Sequence, residues 1–112
     1  MIEVVWEFIV KEEARGQFEL AYGPGGAWSN LCARSPGFRG TTLLRDTNDP
    51  QRYLAFDFWD TIAQREQMLV ERQAEYADLE AAFADWTESI AGGRCFQAAG
   101  GGDGTTPWQS TS

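Results

Sequence analysis

The sequence predicts an α+β domain of split βαβ arrangement, in which helices cover one face of a four-stranded antiparallel sheet. Residues 2–10 and 52–60 alternate as strands do, yet both are apolar on two faces. Residues 61–90 carry a helical stripe, and Gly- and Pro-rich breaks divide the chain into strand, helix, strand, strand, helix, strand.

The first strand, residues 2–10, sets Ile2, Val4, Trp6, Phe8 and Val10 on one face and Glu3, Val5, Glu7 and Ile9 on the other. Residues 11–22 read as a helix, with Ala14, Phe18, Ala21 and Tyr22 recurring at three- and four-residue steps until Gly23-Pro24-Gly25-Gly26 ends the run. A short helical stretch over residues 27–34 buries Trp28, Leu31 and Cys32. After the Ser35-Pro36-Gly37 break, residues 40–46 form the second strand. The turn-rich residues 46–51 join it at hairpin distance to the third, residues 52–60, so these two strands are expected to be antiparallel neighbours. Alternation divides the third strand into Tyr53, Ala55, Asp57 and Trp59 against Leu54, Phe56 and Phe58.

Thr61 and Gln64 make a capping box for a helix predicted to run to Ile90, with Ile62, Leu69, Tyr76, Phe83 and Ile90 at steps of seven. The stripe weakens over residues 71–75, where a bend is expected. Gly92-Gly93 stops this helix, and residues 94–99 supply a fourth strand. Residues 1–99 thus make one ferredoxin-like domain, and residues 100–112, rich in Gly, Ser and Thr, read as a flexible tail in which Trp108 alone suggests docking.

Charge and composition narrow the function. The 112 residues hold 17 acidic and 9 basic side chains, a formal charge of -8, which repels phosphate backbones and argues against nucleic acid as a partner. No apolar run is long enough for a membrane helix and no leader precedes the first strand, so a soluble cytoplasmic protein is expected, with no membrane partner. Cys32 and Cys95 lie far apart without metal-ligand spacing and are expected as reduced thiols, so no metal site is predicted. The helices cover one sheet face only. The uncovered face needs a partner sheet, and a homodimer with a barrel-like core is expected.

The run Phe18-Glu19-Leu20-Ala21-Tyr22-Gly23-Pro24-Gly25-Gly26-Ala27-Trp28-Ser29-Asn30-Leu31, the Ser35-Pro36-Gly37-Phe38 break and the strand from Arg52-Tyr53-Leu54 to Phe58-Trp59-Asp60 resemble the antibiotic biosynthesis monooxygenase domain family. The resemblance covers residues 2–99. It implies a dimeric α+β barrel with a pocket between helices and sheet in each protomer. Some members oxygenate aromatic polyketides or quinols without metal or flavin, and others degrade haem. The haem-degrading pattern places an Asn on the first strand, a Trp ending the third and a His on the following helix. Here only Trp59 matches: Val5 or Trp6 stands at the Asn place, and the chain has no histidine.

A cofactor-independent oxygenase asks less of its protein. A deprotonated, electron-rich phenol passes an electron to oxygen by itself, so the site need only bind it flat, take its proton and shelter the intermediate. No cofactor is expected, and the partner is an aromatic small molecule. Trp6, Tyr22, Trp28, Trp59, Phe83 and Trp86 offer walls, Asn30 and Arg72 polar contacts, and Asp57 and Tyr53 the catalytic proton transfer. Each has a structural alternative. Trp59 and the stripe of Tyr76, Leu79, Phe83 and Trp86 read first as core, Asn30 alternatively as a cap or solvent-facing, Arg72 as a solvated face, and Tyr53 as part of a dimer seam. Asp57 is the most informative residue, because a carboxylate within an apolar strand is either paired for structure, with an arginine or with an indole such as that of Trp59 two residues on, or poised as a base. Beside the oxygenase stand two other functions for this pattern: a non-catalytic small-molecule-binding dimer, and a structural subunit whose interior is filled by its own side chains.

Overall fold

A computed structural model describes residues 1–99. The tail expected over residues 100–112, with Trp108, lies outside the described residues. The strands are β1 (Ile2–Val10), β2 (Phe38–Arg45), β3 (Arg52–Trp59) and β4 (Thr87–Gln97). A 3-10 turn (Glu12–Ala14), α1 (Arg15–Tyr22) and α2 (Ala27–Ala33) follow β1, and α3 (Ile62–Glu71) and α4 (Gln73–Trp86) follow β3. The strand order is β2-β3-β1-β4 with every neighbouring pair antiparallel, which is the expected ferredoxin-like sheet.

Strand alternation sorts the two faces. Tyr53, Ala55, Asp57 and Trp59 of β3 point to the helices and are buried, while Leu54, Phe56 and Phe58 on the other side are only half-buried. The register continues the inner face across the sheet, with Val4 opposite Asp57, Phe8 opposite Tyr53 and Thr41 opposite Asp57. Tyr53 therefore belongs to the helix-covered core, and the dimer-seam alternative for it falls away. Rings from four elements fill this core. Phe18 lies 4.9 Å from Phe8 and 5.1 Å from Tyr53, and Phe83 lies 5.5 Å from Tyr22. Such tilted pairs each add about 0.5–1.5 kcal/mol beyond area burial.

Thr61 caps α3, since its Oγ1 accepts from the Gln64 amide at 3.2 Å, and the Gln64 side chain returns to the Thr61 hydroxyl at 3.0 Å. The bend expected over residues 71–75 is the junction between α3 and α4, where Arg72 leaves helical geometry at φ -109° and ψ 28°.

Four boundaries differ most from the sequence reading. The helix ends at Trp86, not Ile90, and β4 starts at Thr87 instead of Arg94. Thr87 is extended, and its hydroxyl donates to the Phe83 carbonyl at 2.8 Å, closing the helix. The free edge of β1 then claims the following residues, with Ile90 opposite Phe8. Tertiary pairing overrides the seven-residue spacing that drew Ile90 into the helix. β2 begins at Phe38 because Gly40, at φ 117°, absorbs a bulge within the strand. The first turn of the helix expected over residues 11–22 is 3-10, and the α-helix proper starts at Arg15.

Gly92-Gly93 is likewise not a helix stop. Both residues have positive φ, 109° and 78°, and form a bulge opposite Val5 and Trp6. A Cβ on Gly93 would stand 2.8 Å from Cη2 of Trp6, so the missing side chain is what lets the indole lie over β4. Gly93→Ala is expected to cost about 1–3 kcal/mol in urea denaturation and to shift the tryptophan emission. An unchanged midpoint and spectrum would show that the indole seat does not depend on this bulge.

Candidate active site

The site grows from one buried carboxylate. Asp57 sits mid-strand on β3 and is 1% exposed, a position a charge occupies only when it is well solvated by neighbours. Four side chains do this. Trp6 Nε1 donates to Oδ2 at 3.2 Å, Trp28 Nε1 to Oδ1 at 3.1 Å, Thr41 Oγ1 to Oδ1 at 2.8 Å, and the Tyr22 hydroxyl reaches both oxygens at 2.9 and 3.0 Å.

Local sequence explains how they converge. Tyr22 ends α1 and Trp28 lies in the first turn of α2, and the glycine-rich link between them folds the two rings into a stack at 5.9 Å and 22°. Trp6 arrives from β1 over the β4 bulge, and Thr41 is the neighbour of Asp57 across the β2–β3 hairpin. Every donor is neutral. Burial therefore pushes the Asp57 carboxyl above its ordinary value, against the four donors that favour its charged form. Burial, followed by the Asp57 charge, likewise pushes the Tyr22 phenol and the Cys32 thiol well up. Both stay protonated near neutral pH, and Cys32 is inert as a nucleophile.

In front of this cluster lies a cavity of about 50 Å³. Phe8, Trp6 and Ile90 form its sheet side, Tyr22 and Trp28 one wall, and Tyr76, Glu80 and Phe83 of α4 the other. Asp57 is not itself a lining residue. It meets the cavity through Trp6, Tyr22 and Trp28, and so acts on whatever binds there by way of those three side chains.

The structure brings Trp6, Tyr22, Trp28, Phe83 and Asp57 of the expected site together and leaves the others outside the cavity wall. Tyr53 is on the same sheet face but turns its hydroxyl to Glu19, and burial, then that carboxylate, raises its phenol. Trp59 is buried at the far end of β3, edge-on to Phe38 at 5.2 Å, and the indoles that bond Asp57 are those of Trp6 and Trp28. Asn30 donates to the Gly25 carbonyl at 3.3 Å and lines an open depression between α2 and α4 beside the Arg34–Glu75 ion pair. Arg72 marks the α3–α4 junction, and Trp86 packs on the outside of Phe83 at 6.1 Å.

Five residues of the site went unassigned in the sequence. Thr41 was readable by counting back across the hairpin from Arg45 opposite Tyr53. Tyr76 and Glu80, four apart on α4, share a helix face, and Phe8 shares a strand face with Trp6. Ile90 was hidden by the helix boundary.

Among the described residues no three His, Cys, Asp or Glu side chains group as metal ligands, and no helix is long and apolar enough to cross a membrane. Both cysteines are free thiols.

Comparisons place this architecture among known proteins. The model of the antibiotic biosynthesis monooxygenase family matches residues 1–98. A search of curated protein sequences finds no match. Among solved structures, the chain is similar to SnoaB, a cofactor-independent oxygenase from Streptomyces nogalater, at TM-score 0.75 and 22% identity over 91% of this chain and 96% of that one. It is also similar to Rv0793 from Mycobacterium tuberculosis, at TM-score 0.70 and 12% identity over 91% and 98% of the two chains. At these identities the likeness establishes the fold.

Proposed function

The chain belongs to the antibiotic biosynthesis monooxygenase family, and we propose that it is a cofactor-independent monooxygenase acting on a single-ring quinol or the terminal ring of an aromatic polyketide. One observation carries this reading: Tyr22 lines the cavity and donates its hydroxyl proton to both oxygens of a buried carboxylate. A fold shared with a cofactor-independent oxygenase supports it. At about 50 Å³, against the roughly 150 Å³ of a cavity that takes benzene, the cavity admits one ring only as its wall gives and leaves the rest of the substrate at the mouth.

The chemistry follows from the relay. A bound phenol transfers its proton to the Tyr22 oxygen while Tyr22 passes its own to Asp57, which burial has made a better proton acceptor than an exposed Asp. The phenolate gives one electron to dioxygen, and the resulting superoxide and phenoxyl radical combine at a ring carbon that bears hydrogen, ortho to the oxygen in a hydroquinone and para to it in the enol of an anthrone. The proton then returns through Tyr22 to the outer peroxide oxygen. Loss of the C–H proton from that carbon with cleavage of the O–O bond releases water, so a hydroquinone and dioxygen become a hydroxyquinone and water, and an anthrone and dioxygen an anthraquinone and water. The aromatic walls of Trp6, Trp28 and Phe83 hold the ring and keep bulk water from the intermediate.

Oxygen uptake in metal-free buffer with a panel of hydroquinones and anthrones tests the reaction. Uptake matched mole for mole by hydroxyquinone or anthraquinone, without hydrogen peroxide, is expected. Ligands that bind without any uptake would overturn it.

The uncovered sheet face supports assembly with a second copy. Phe96 is 52% and Leu44 49% exposed, and Val5, Ile9, Leu54, Phe56 and Phe58 lie between them half-buried. Charge interrupts the face at Glu3, opposite Phe58 and Phe96, at Arg94, opposite Val5, and at Glu7, opposite Leu54, where Arg52 pairs with Glu7 at 2.6 Å and with Asp46 at 3.0 Å. An uncovered sheet face that still carries seven large apolar side chains is rare on monomers. Sedimentation is expected to give a dimer, and Phe56→Glu a monomer. A native monomer at micromolar concentration would contradict the pairing.

A further inference from the structure

We propose that the cavity is a site for an organic cation, taking an alkylated ammonium head against the faces of Trp6, Tyr22, Trp28 and Tyr76 with Glu80 at its rim. This reading stands on the cavity alone and does not require the oxygenation.

The lining is six aromatic side chains, one aliphatic and one carboxylate, with no cationic group among them. The rings do not form a single stack. Trp6 stacks with Phe8 at 24° and Tyr22 with Trp28 at 22°, while Trp28 meets Tyr76 at 54° and Phe83 at 71°, and Tyr22 meets Phe83 at 48°, so the lining rings lie in several planes. A compact cation is served by rings on several sides, since each ring quadrupole is negative above its plane.

The indole N–H groups that would repel a cation are engaged elsewhere. Trp6 and Trp28 both donate to Asp57, behind the wall. An anionic acceptor on Nε1 also pushes electron density into the indole, which strengthens the attraction of its face for positive charge. Glu80 is exposed and lines the cavity beside Tyr76, whose phenol is raised by burial and then by the Glu80 charge. The chain as a whole carries -8, which draws cations to the mouth. Size agrees as well: 50 Å³ corresponds to room for about three to five waters, the scale of a small alkylammonium head.

Choline and its neutral isostere 3,3-dimethylbutan-1-ol separate this from a merely apolar slot, with tryptophan emission as the readout on the intact chain. Choline is expected to bind roughly tenfold more tightly than the alcohol. Glu80→Gln, a change at an exposed position, is expected to weaken choline several-fold and leave the alcohol unchanged. Equal affinities, preference for the alcohol, or no binding of choline would each overturn the proposal. None of these outcomes bears on oxygen uptake, so the two proposals fail separately.

Discussion

Tyr22→Phe is expected to lower quinol turnover by about 10²- to 10⁴-fold, the usual contribution of a positioned proton-transfer group, while the fold survives. The substitution keeps the ring that stacks on Trp28 at 5.9 Å and packs near Phe8 at 5.3 Å, and removes only the hydroxyl. Asp57 keeps three donors, from Trp6, Trp28 and Thr41, so the loss of stability is expected near 1–2 kcal/mol. Oxygen uptake and urea denaturation on the same preparation separate the two effects. A variant that turns over at the native rate would remove Tyr22 from the proton path. Loss of binding together with turnover would assign it to the wall alone.

Asp57→Asn is expected to change how stability depends on pH. Burial raises the folded-state value of Asp57 above that of the unfolded chain. The stability this group contributes is therefore complete below the unfolded value, about 3.9, and is lost as pH rises through the folded one. The native protein should fall relative to Asp57→Asn across that window, with a slope of at most about 1.4 kcal/mol per pH unit, and run parallel to it above. Asp46 and Asp60 act in the opposite sense. The Asn48 amide and Arg52 lower the first, and Arg39 the second, so each adds stability above the ordinary carboxylate range. Both are present in the two proteins, so they cancel in the difference. A difference curve that rises with pH would mean that the four donors outweigh burial. Asp57→Ala is a harsher change, because it leaves two indoles and a phenol unpaired around a void, while Thr41 keeps the Phe56 carbonyl at 3.1 Å, and about 3–5 kcal/mol is expected.

How far the site was legible follows from where each signal lay. The two-sided strand 52–60 announced both a helix-covered face and a face in want of a partner, and its alternation placed Asp57 and Trp59 together. Which side faced the helices was not in the alternation itself. It depends on the pairing of Val4 with Asp57 and on the buried faces of α1 and α2. The value of Asp57 could be read from the sequence, since a lone carboxylate among apolar neighbours demands donors. The identity of those donors could not. Trp59, two residues away, was the nearest indole in sequence, but residues two apart on a strand point alike and stand side by side, and the donors come instead from strands and helices 16 to 51 residues distant.

The other misplacements have the same origin. Seven-residue spacing is a property of the helix alone, and Ile90 satisfies it while the open edge of β1 takes it into the sheet. Gly92-Gly93 resembles a helix stop because the bulge and the C-cap both require positive φ. Tyr53 and Asn30 were chosen as polar groups near aromatic ones in sequence. Their hydroxyl and amide turn to Glu19 and to the Gly25 carbonyl, away from the cavity.

Carboxyl-carbon NMR of the ¹³C-aspartate-labelled protein tests the central claim most directly, because it reads the protonation of Asp57 without reference to any substrate. One aspartate, absent from the spectrum of Asp57→Asn, is expected to titrate above the ordinary value of about 3.9. If every aspartate carboxyl titrates at or below that value, Asp57 is held as a structural anion and is not the proton acceptor behind Tyr22.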